Sequence, residues 1–289
     1  MFGGAITALA TPFRDGRVDH RAMRALVNWQ IDMGIDGLLA CGCTGEAATL
    51  TTDEHLEVIE LVLDASGGRV PVIAGTGKND TASSVELSVR AGDMGVDGVL
   101  LITPYYNKPT PAGQIEHYTR VADSVDCPVI LYNVPGRTGT NMLPATIARL
   151  SEHPRIVAIK DAAGSAERVT AIRELCDITI LSGDDPIAMA QVALGAQGVV
   201  SVVSNVAPGE MARLVSLTSE GDLEEARRLQ DRLYPVMKAM FLETNPIPVK
   251  KALSLLGLTT DEMRLPLTSM TPELVPELKR ALERAGLLK

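Results

Sequence analysis

Short apolar or β-branched runs recur eight times along the first part of the chain, at Ala5–Leu9, Gly37–Cys43, Val70–Ala74, Gly98–Ile102, Pro128–Tyr132, Ile156–Lys160, Ile178–Leu181 and Gly198–Val203. Longer segments of helical periodicity separate them. Strands that are apolar on both faces need cover on both sides, and parallel neighbours need a crossover long enough to return. Eight such units over about 200 residues fit a closed (β/α)8 TIM barrel better than an open doubly wound sheet, because that barrel typically takes ~250 residues. In Asp19–Met33 the residues Met23, Leu26, Val27, Gln30 and Ile31 share one helical stripe, and Leu56, Ile59 and Leu63 do so in Thr52–Leu63. Thr52-Asp53-Glu54-His55 reads as a helix start, with a capping residue and early carboxylates.

After Asn205 the strand pattern stops. Leu223, Ala226, Leu229, Leu233 and Met237 form a helical stripe, with a kink expected at Pro235. A second helix is expected to start at Asn245-Pro246-Ile247-Pro248, and a third to span Pro272–Leu287. Residues 1–205 thus carry the barrel strands and most crossover helices, and residues 206–289 the last barrel helix and a C-terminal helical subdomain.

Composition narrows the function. Lys and Arg number 27 against 36 Asp and Glu, a formal charge of −9, which lacks the basic footprint of a nucleic-acid or anionic-membrane binder. No apolar run approaches the roughly 20 residues needed to span a bilayer, and Met1-Phe2-Gly3-Gly4 lacks a basic n-region, so a cytoplasmic protein is expected. Cys41, Cys43, Cys127 and Cys176 lack the density of a disulfide scaffold and the C-x-x-C spacing of a zinc or redox site. Cys41 and Cys43 are expected to share one strand face, Cys41 as a small barrel hydrophobe. His20, His55, His117 and His153 stand far apart, so no metal site is expected.

In a barrel of this kind the reacting groups lie where strands end. Lys160 closes the run Ile156-Val157-Ala158-Ile159 and is the one lysine among eight placed in a strand core. Desolvation favours its neutral amine, a nucleophile for a ketone; the alternative is an ion pair with a carboxylate such as Asp161. Tyr132 ends the preceding strand, about 4.8 Å away in a barrel, where its phenol could pass protons or simply plug the barrel top. Gly42-Cys43-Thr44-Gly45-Glu46 puts backbone N–H groups at a strand end and suits a carboxylate. Gly75-Thr76-Gly77-Lys78 lacks the P-loop spacing and reads as a tight turn.

Taken together, Gly42–Glu46, Thr103-Pro104-Tyr105-Tyr106-Asn107-Lys108-Pro109, Tyr132-Asn133-Val134-Pro135-Gly136-Arg137-Thr138-Gly139, Ala158–Asp161, Leu181–Asp185 and Asn245–Lys250 resemble the dihydrodipicolinate synthase family, in order and along the whole chain. The resemblance implies a lyase that condenses pyruvate with L-aspartate-4-semialdehyde on the route to lysine and diaminopimelate. It needs no cofactor beyond a covalent imine between pyruvate and Lys160. It further implies that Thr44 holds the pyruvate carboxylate, and that Tyr132 is the acid/base, linked through position 43 to a Tyr106 supplied by a neighbouring subunit. Arg137 would hold the semialdehyde carboxylate, and Gly183 and Val200 would line the pocket. A homotetramer built as a dimer of dimers is the family's habit. Related pyruvate-dependent aldolases for 2-keto-3-deoxy sugar acids or sialic acid share the G-x-x-G-E run, the tyrosine and the lysine. Tyr105-Tyr106-Asn107 and Arg137-Thr138-Gly139 favour the synthase over that alternative.

Two departures stand out. Cys43 occupies the place of a family threonine, and a thiol is a weaker donor and acceptor than a hydroxyl, so a slower or water-bridged relay is expected. His55, Asn79 and Tyr105 match allosteric positions, but Thr52 and Ser83 stand where lysine-sensitive members carry histidine and glutamate. Weak or absent inhibition by lysine is therefore expected, and inhibition at sub-millimolar lysine in an activity titration would overturn it.

Overall fold

Every apolar run becomes a strand of one closed, all-parallel barrel in the computed structural model, which describes residues 2–288. The strands are β1 (Gly4–Ala8), β2 (Gly37–Ala40), β3 (Val72–Gly75), β4 (Gly98–Ile102), β5 (Val129–Asn133), β6 (Ile156–Asp161), β7 (Thr179–Ser182) and β8 (Gly198–Ser201). Each pairs with its sequence neighbours, and β1 closes the ring by pairing with both β2 and β8. The alternation of strand side chains then sorts the core into two compartments. Ile6, Leu39, Ile73, Leu100, Ile130, Leu181 and Val200 fill the barrel, and Phe2 packs with them. Leu38, Val72, Val99, Leu131 and Ile159 face outward under the helices.

The crossovers are α1 (His20–Asp32), α2 (Thr52–Ser66), α3 (Thr81–Asp93), α4 (Pro111–Ser124), a single turn α5 (Pro135–Thr138) with α6 (Pro144–Ser151), α7 (Glu167–Arg173) and α8 (Ala188–Ala193). Asp19 caps α1 by accepting the Ala22 N–H. The cap of α2 is Thr51 rather than Thr52, in a reciprocal capping box with Glu54 that contributes about 1 kcal/mol. Beyond β8 come α9 (Pro208–Glu220), α10 (Leu223–Ala239), α11 (Ile247–Leu255) and α12 (Val275–Arg284). Helix α9 packs on β1, α10 on α9, and α12 on both α10 and α11. Helix α10 runs on through Pro235, and the expected helix at Pro272 opens with a 3-10 turn over Pro272–Leu274.

The second and eighth runs are shorter as strands than their apolar patterning suggests. β2 stops at Ala40 because Cys41 adopts φ 55°, which turns the chain out of the sheet. Cys41 and Cys43 therefore do not share a strand face. Cys41 joins the outer, helix-facing core and Cys43 packs against the barrel interior. Likewise β8 ends at Ser201, and Val203–Asn205 form a 3-10 turn. No helix among the described residues is long and apolar enough to cross a membrane.

Candidate active site

The register of β5 and β6 places Tyr132 directly opposite Lys160, and both point into the barrel mouth. Lys160 Nζ lies 4.3 Å from the centroid of the Tyr132 ring. Lys160 is 6% exposed and makes no ion pair with a carboxylate among the described residues. Its neighbour Asp161 points the other way, where the Arg168 guanidinium grips both carboxylate oxygens at 2.7–3.0 Å. The same carboxylate accepts from Asn133 Nδ2 at 3.2 Å, and Asn133 Oδ1 accepts from the Met142 N–H at 2.9 Å. The outward-facing Asn133, Asp161 and Arg168 thus tie the ends of β5 and β6 together, fixing the residues one step inward. An ion pair with Asp161 is the alternative reading of Lys160, and this geometry removes it.

Burial dominates the titration of both inward groups. It lowers the Lys160 amine to about 8, outweighing the opposing pull of Cys43, Asp184 and Asp185. Burial foremost, with the adjacent Cys43 thiol, holds the Tyr132 phenol well above its ordinary range. The site therefore offers an amine that is readily neutral beside a phenol that keeps its proton.

Beside Tyr132 opens a cavity of about 280 Å³ whose wall includes Cys43, Tyr132, Arg137 and Asn245; Lys160 lies off this wall. The turn Gly42–Glu46 forms one side. Glu46 adopts φ 53°, and Thr11 Oγ1 donates to the Gly45 carbonyl at 2.7 Å. Any side chain at position 45 would approach the Leu9 carbonyl to 3.1 Å. Thr44 sits behind the wall and accepts from Asn245 Nδ2 at 3.0 Å, and Arg137 Nη2 donates to the Asn245 carbonyl at 2.9 Å. Gly183 and Val200 lie off this wall. Val200 fills the barrel interior, and a Cβ on Gly183 would come within 2.6 Å of Ala162 Cβ, so close packing at the strand end requires glycine there. Tyr106 is not brought to Tyr132 within the chain: it is 89% exposed, at φ 71°.

The other end of the cavity is walled by His55, Lys78 and Tyr105. Gly75-Thr76-Gly77-Lys78 does not form the expected tight turn: Gly75 ends β3, and the Thr76 and Gly77 N–H groups still donate to the Leu100 carbonyl of β4, while a Cβ at Gly75 or Gly77 would strike the Cys41 carbonyl or the Ile102 amide at 2.4 Å. His55 Nε2 donates to the Gly75 carbonyl at 2.8 Å, and burial foremost lowers the imidazole to about 4. Asn79 lies off this wall, its carbonyl accepting from Asn107 Nδ2 at 2.7 Å. Sequence patterning does not single out Lys78 as a cavity residue. Nor does it reveal the buried ion pair between Lys250 of α11 and Glu46, at 2.5 Å, that backs the Gly42–Glu46 turn.

The model of the dihydrodipicolinate synthetase family matches residues 1–285. The chain belongs to that family. A relative from Pelobacter propionicus named 4-hydroxy-tetrahydrodipicolinate synthase is 55% identical over 93% of this chain and 94% of its own. Among solved structures, dihydrodipicolinate synthase from Aquifex aeolicus superposes with a TM-score of 0.97 at 44% identity, covering 99% of both chains. The chloride-inhibited dihydrodipicolinate synthase from Acinetobacter baumannii, complexed with pyruvate, gives 0.98 at 42% identity over 100% of both. Family membership carries the barrel and the lyase class, and it favours the synthase over a sugar-acid aldolase. No group of three or more His, Cys, Asp or Glu among the described residues is arranged to hold a metal ion.

Proposed function

We propose that the protein condenses pyruvate with L-aspartate-4-semialdehyde through an imine on Lys160, giving 4-hydroxy-tetrahydrodipicolinate. The observation that carries this reading is the buried Lys160 amine, free of any carboxylate partner among the described residues and stacked on Tyr132 at 4.3 Å. The neutral amine attacks the keto carbon of pyruvate, and the carbinolamine loses water to give the imine. Loss of a methyl proton yields an enamine, whose carbon attacks the aldehyde of the second substrate. Attack by that substrate's amino group on the imine carbon then closes the ring and releases Lys160. Tyr132, protonated and in contact with the amine, is placed to give and take the protons of these steps.

Thr44 and the neighbouring backbone N–H groups hold the pyruvate carboxylate, and Arg137 holds that of the semialdehyde, where its planar fork makes charge-assisted bonds. Cys43, adjacent to Tyr132 on the cavity wall, carries the relay onward, and the partner subunit's Tyr106 completes it in an assembled dimer, two of which form the tetramer. This reading is supported by the exposure of Tyr106 and by its failure to reach the site of its own chain. Lys78 bears on regulation. Its half-buried ammonium, lowered by burial, lines the same space as His55 and Tyr105, and Ser83 supplies no counter-charge for an incoming ammonium. Like charges then oppose lysine, in line with weak or absent inhibition.

Incubation with pyruvate and borohydride followed by peptide mass spectrometry is the test. The expected result is a reduced pyruvate adduct on Lys160 and turnover with the semialdehyde far exceeding that with 2-keto-3-deoxygluconate. An unmodified Lys160 would overturn the mechanism, and the reverse preference would overturn the substrate.

A further inference from the structure

Asn245 comes from the segment entering α11, outside the barrel, yet it bonds to both groups assigned to substrate carboxylates. Its side-chain Nδ2 donates to Thr44 Oγ1 at 3.0 Å, and its backbone carbonyl accepts from Arg137 Nη2 at 2.9 Å. The residue is 5% exposed, and its Oδ1 is buried without a partner among the described residues, so donation to Thr44 is the one bond its side chain makes to them. A threonine hydroxyl has one proton and two lone pairs. When a lone pair takes the amide N–H, the proton is left to point at a ligand, as a bound carboxylate requires.

We infer that Asn245 is a positioning residue that aims the Thr44 hydroxyl as a donor toward pyruvate while its carbonyl orients Arg137 for the semialdehyde. The inference rests on the assignments of Thr44 and Arg137 made above. It separates side chain from backbone: substitutions at 245 remove the Thr44 contact and keep the carbonyl.

Steady-state kinetics of Asn245→Ala and Asn245→Asp test it. Asn245→Ala is expected to raise the KM for pyruvate about tenfold and leave that for the semialdehyde within about twofold. Asn245→Asp preserves shape but offers an acceptor and a negative charge, drawing the Thr44 proton onto residue 245; the pyruvate KM is expected to rise about a hundredfold. In a Thr44→Val background, Asn245→Ala should add less than about twofold, because the two act through one hydroxyl. Unchanged pyruvate KM in both single variants, a parallel rise in both KM values, or an undiminished effect without the Thr44 hydroxyl would each overturn the inference. Borohydride trapping separates this from failure of the reaction itself: if the unsubstituted enzyme traps pyruvate on Lys160 and the variants behave as it does, only the role of Asn245 falls.

Discussion

Lys160→Ala is expected to lose both the borohydride-trapped pyruvate adduct and condensation, with kcat falling by about four orders of magnitude or more while the barrel stays folded. Alanine removes the amine and leaves the backbone pairing of β6 with β5 in place, so the loss is chemical. Lys160→Arg should be equally inactive, because a guanidinium stays protonated and does not form the imine. The unsubstituted enzyme carries a matching pH signature. With its amine lowered to about 8 by burial, Lys160 is protonated below that value and neutral above it. The rate of imine formation is therefore expected to rise about tenfold per pH unit up to about 8 and then level off. An ordinary lysine near 10.4 would keep rising for two further units, and at neutral pH would have a few hundredfold less neutral amine. Rapid-mixing measurement of imine formation across pH 6 to 10 checks this; a profile still climbing at pH 10 would show that the amine is not desolvated.

The second large effect is on stability. Lys250 and Glu46 are both buried, and their ion pair at 2.5 Å is flanked by the Phe13 ring, 4.3 Å from Lys250 Nζ. Glu46 also accepts the Arg264 N–H at 3.1 Å, while the Arg264 guanidinium pairs with Glu54 at 2.6 Å. The arginine holds the Glu54 carboxyl at about 2, whereas burial foremost lowers Lys250. Lys250→Met would leave Glu46 as an uncompensated buried charge and is expected to cost about 3 to 5 kcal/mol in denaturant unfolding. Replacing both, Lys250→Met with Glu46→Gln, should recover much of that loss, because the orphaned charge is then gone. A single variant within about 1 kcal/mol of the parent would show that the pair is dispensable. Since Glu46 ends the turn that carries Thr44, the single variant should also weaken pyruvate binding.

Both predictions concern residues that differ in how far the chain announces them. Lys160 and Tyr132 were legible because each closes an apolar run, and strands consecutive in a barrel are neighbours; two-residue periodicity then decides that both side chains face one way. The same rule turned Asp161 outward to Arg168. The pattern misled at Cys41 and Cys43, where an apolar run continues but a left-handed residue ends the strand. Tyr106, Gly183 and Val200 come from the family resemblance instead of the strand pattern, and within the chain they lie off the cavity wall.

Local order along the chain therefore determined the eight-unit barrel, the rim on which chemistry sits and the lysine with its tyrosine, because these follow from periodicities of a few residues. Only the folded structure decided that Asn245 bridges Thr44 and Arg137 and that Lys250 neutralises Glu46. Those contacts join positions between 108 and 204 residues apart along the chain. They arise where the C-terminal helices fold back over the barrel mouth, and a buried polar group takes its meaning from the partner that burial brings to it.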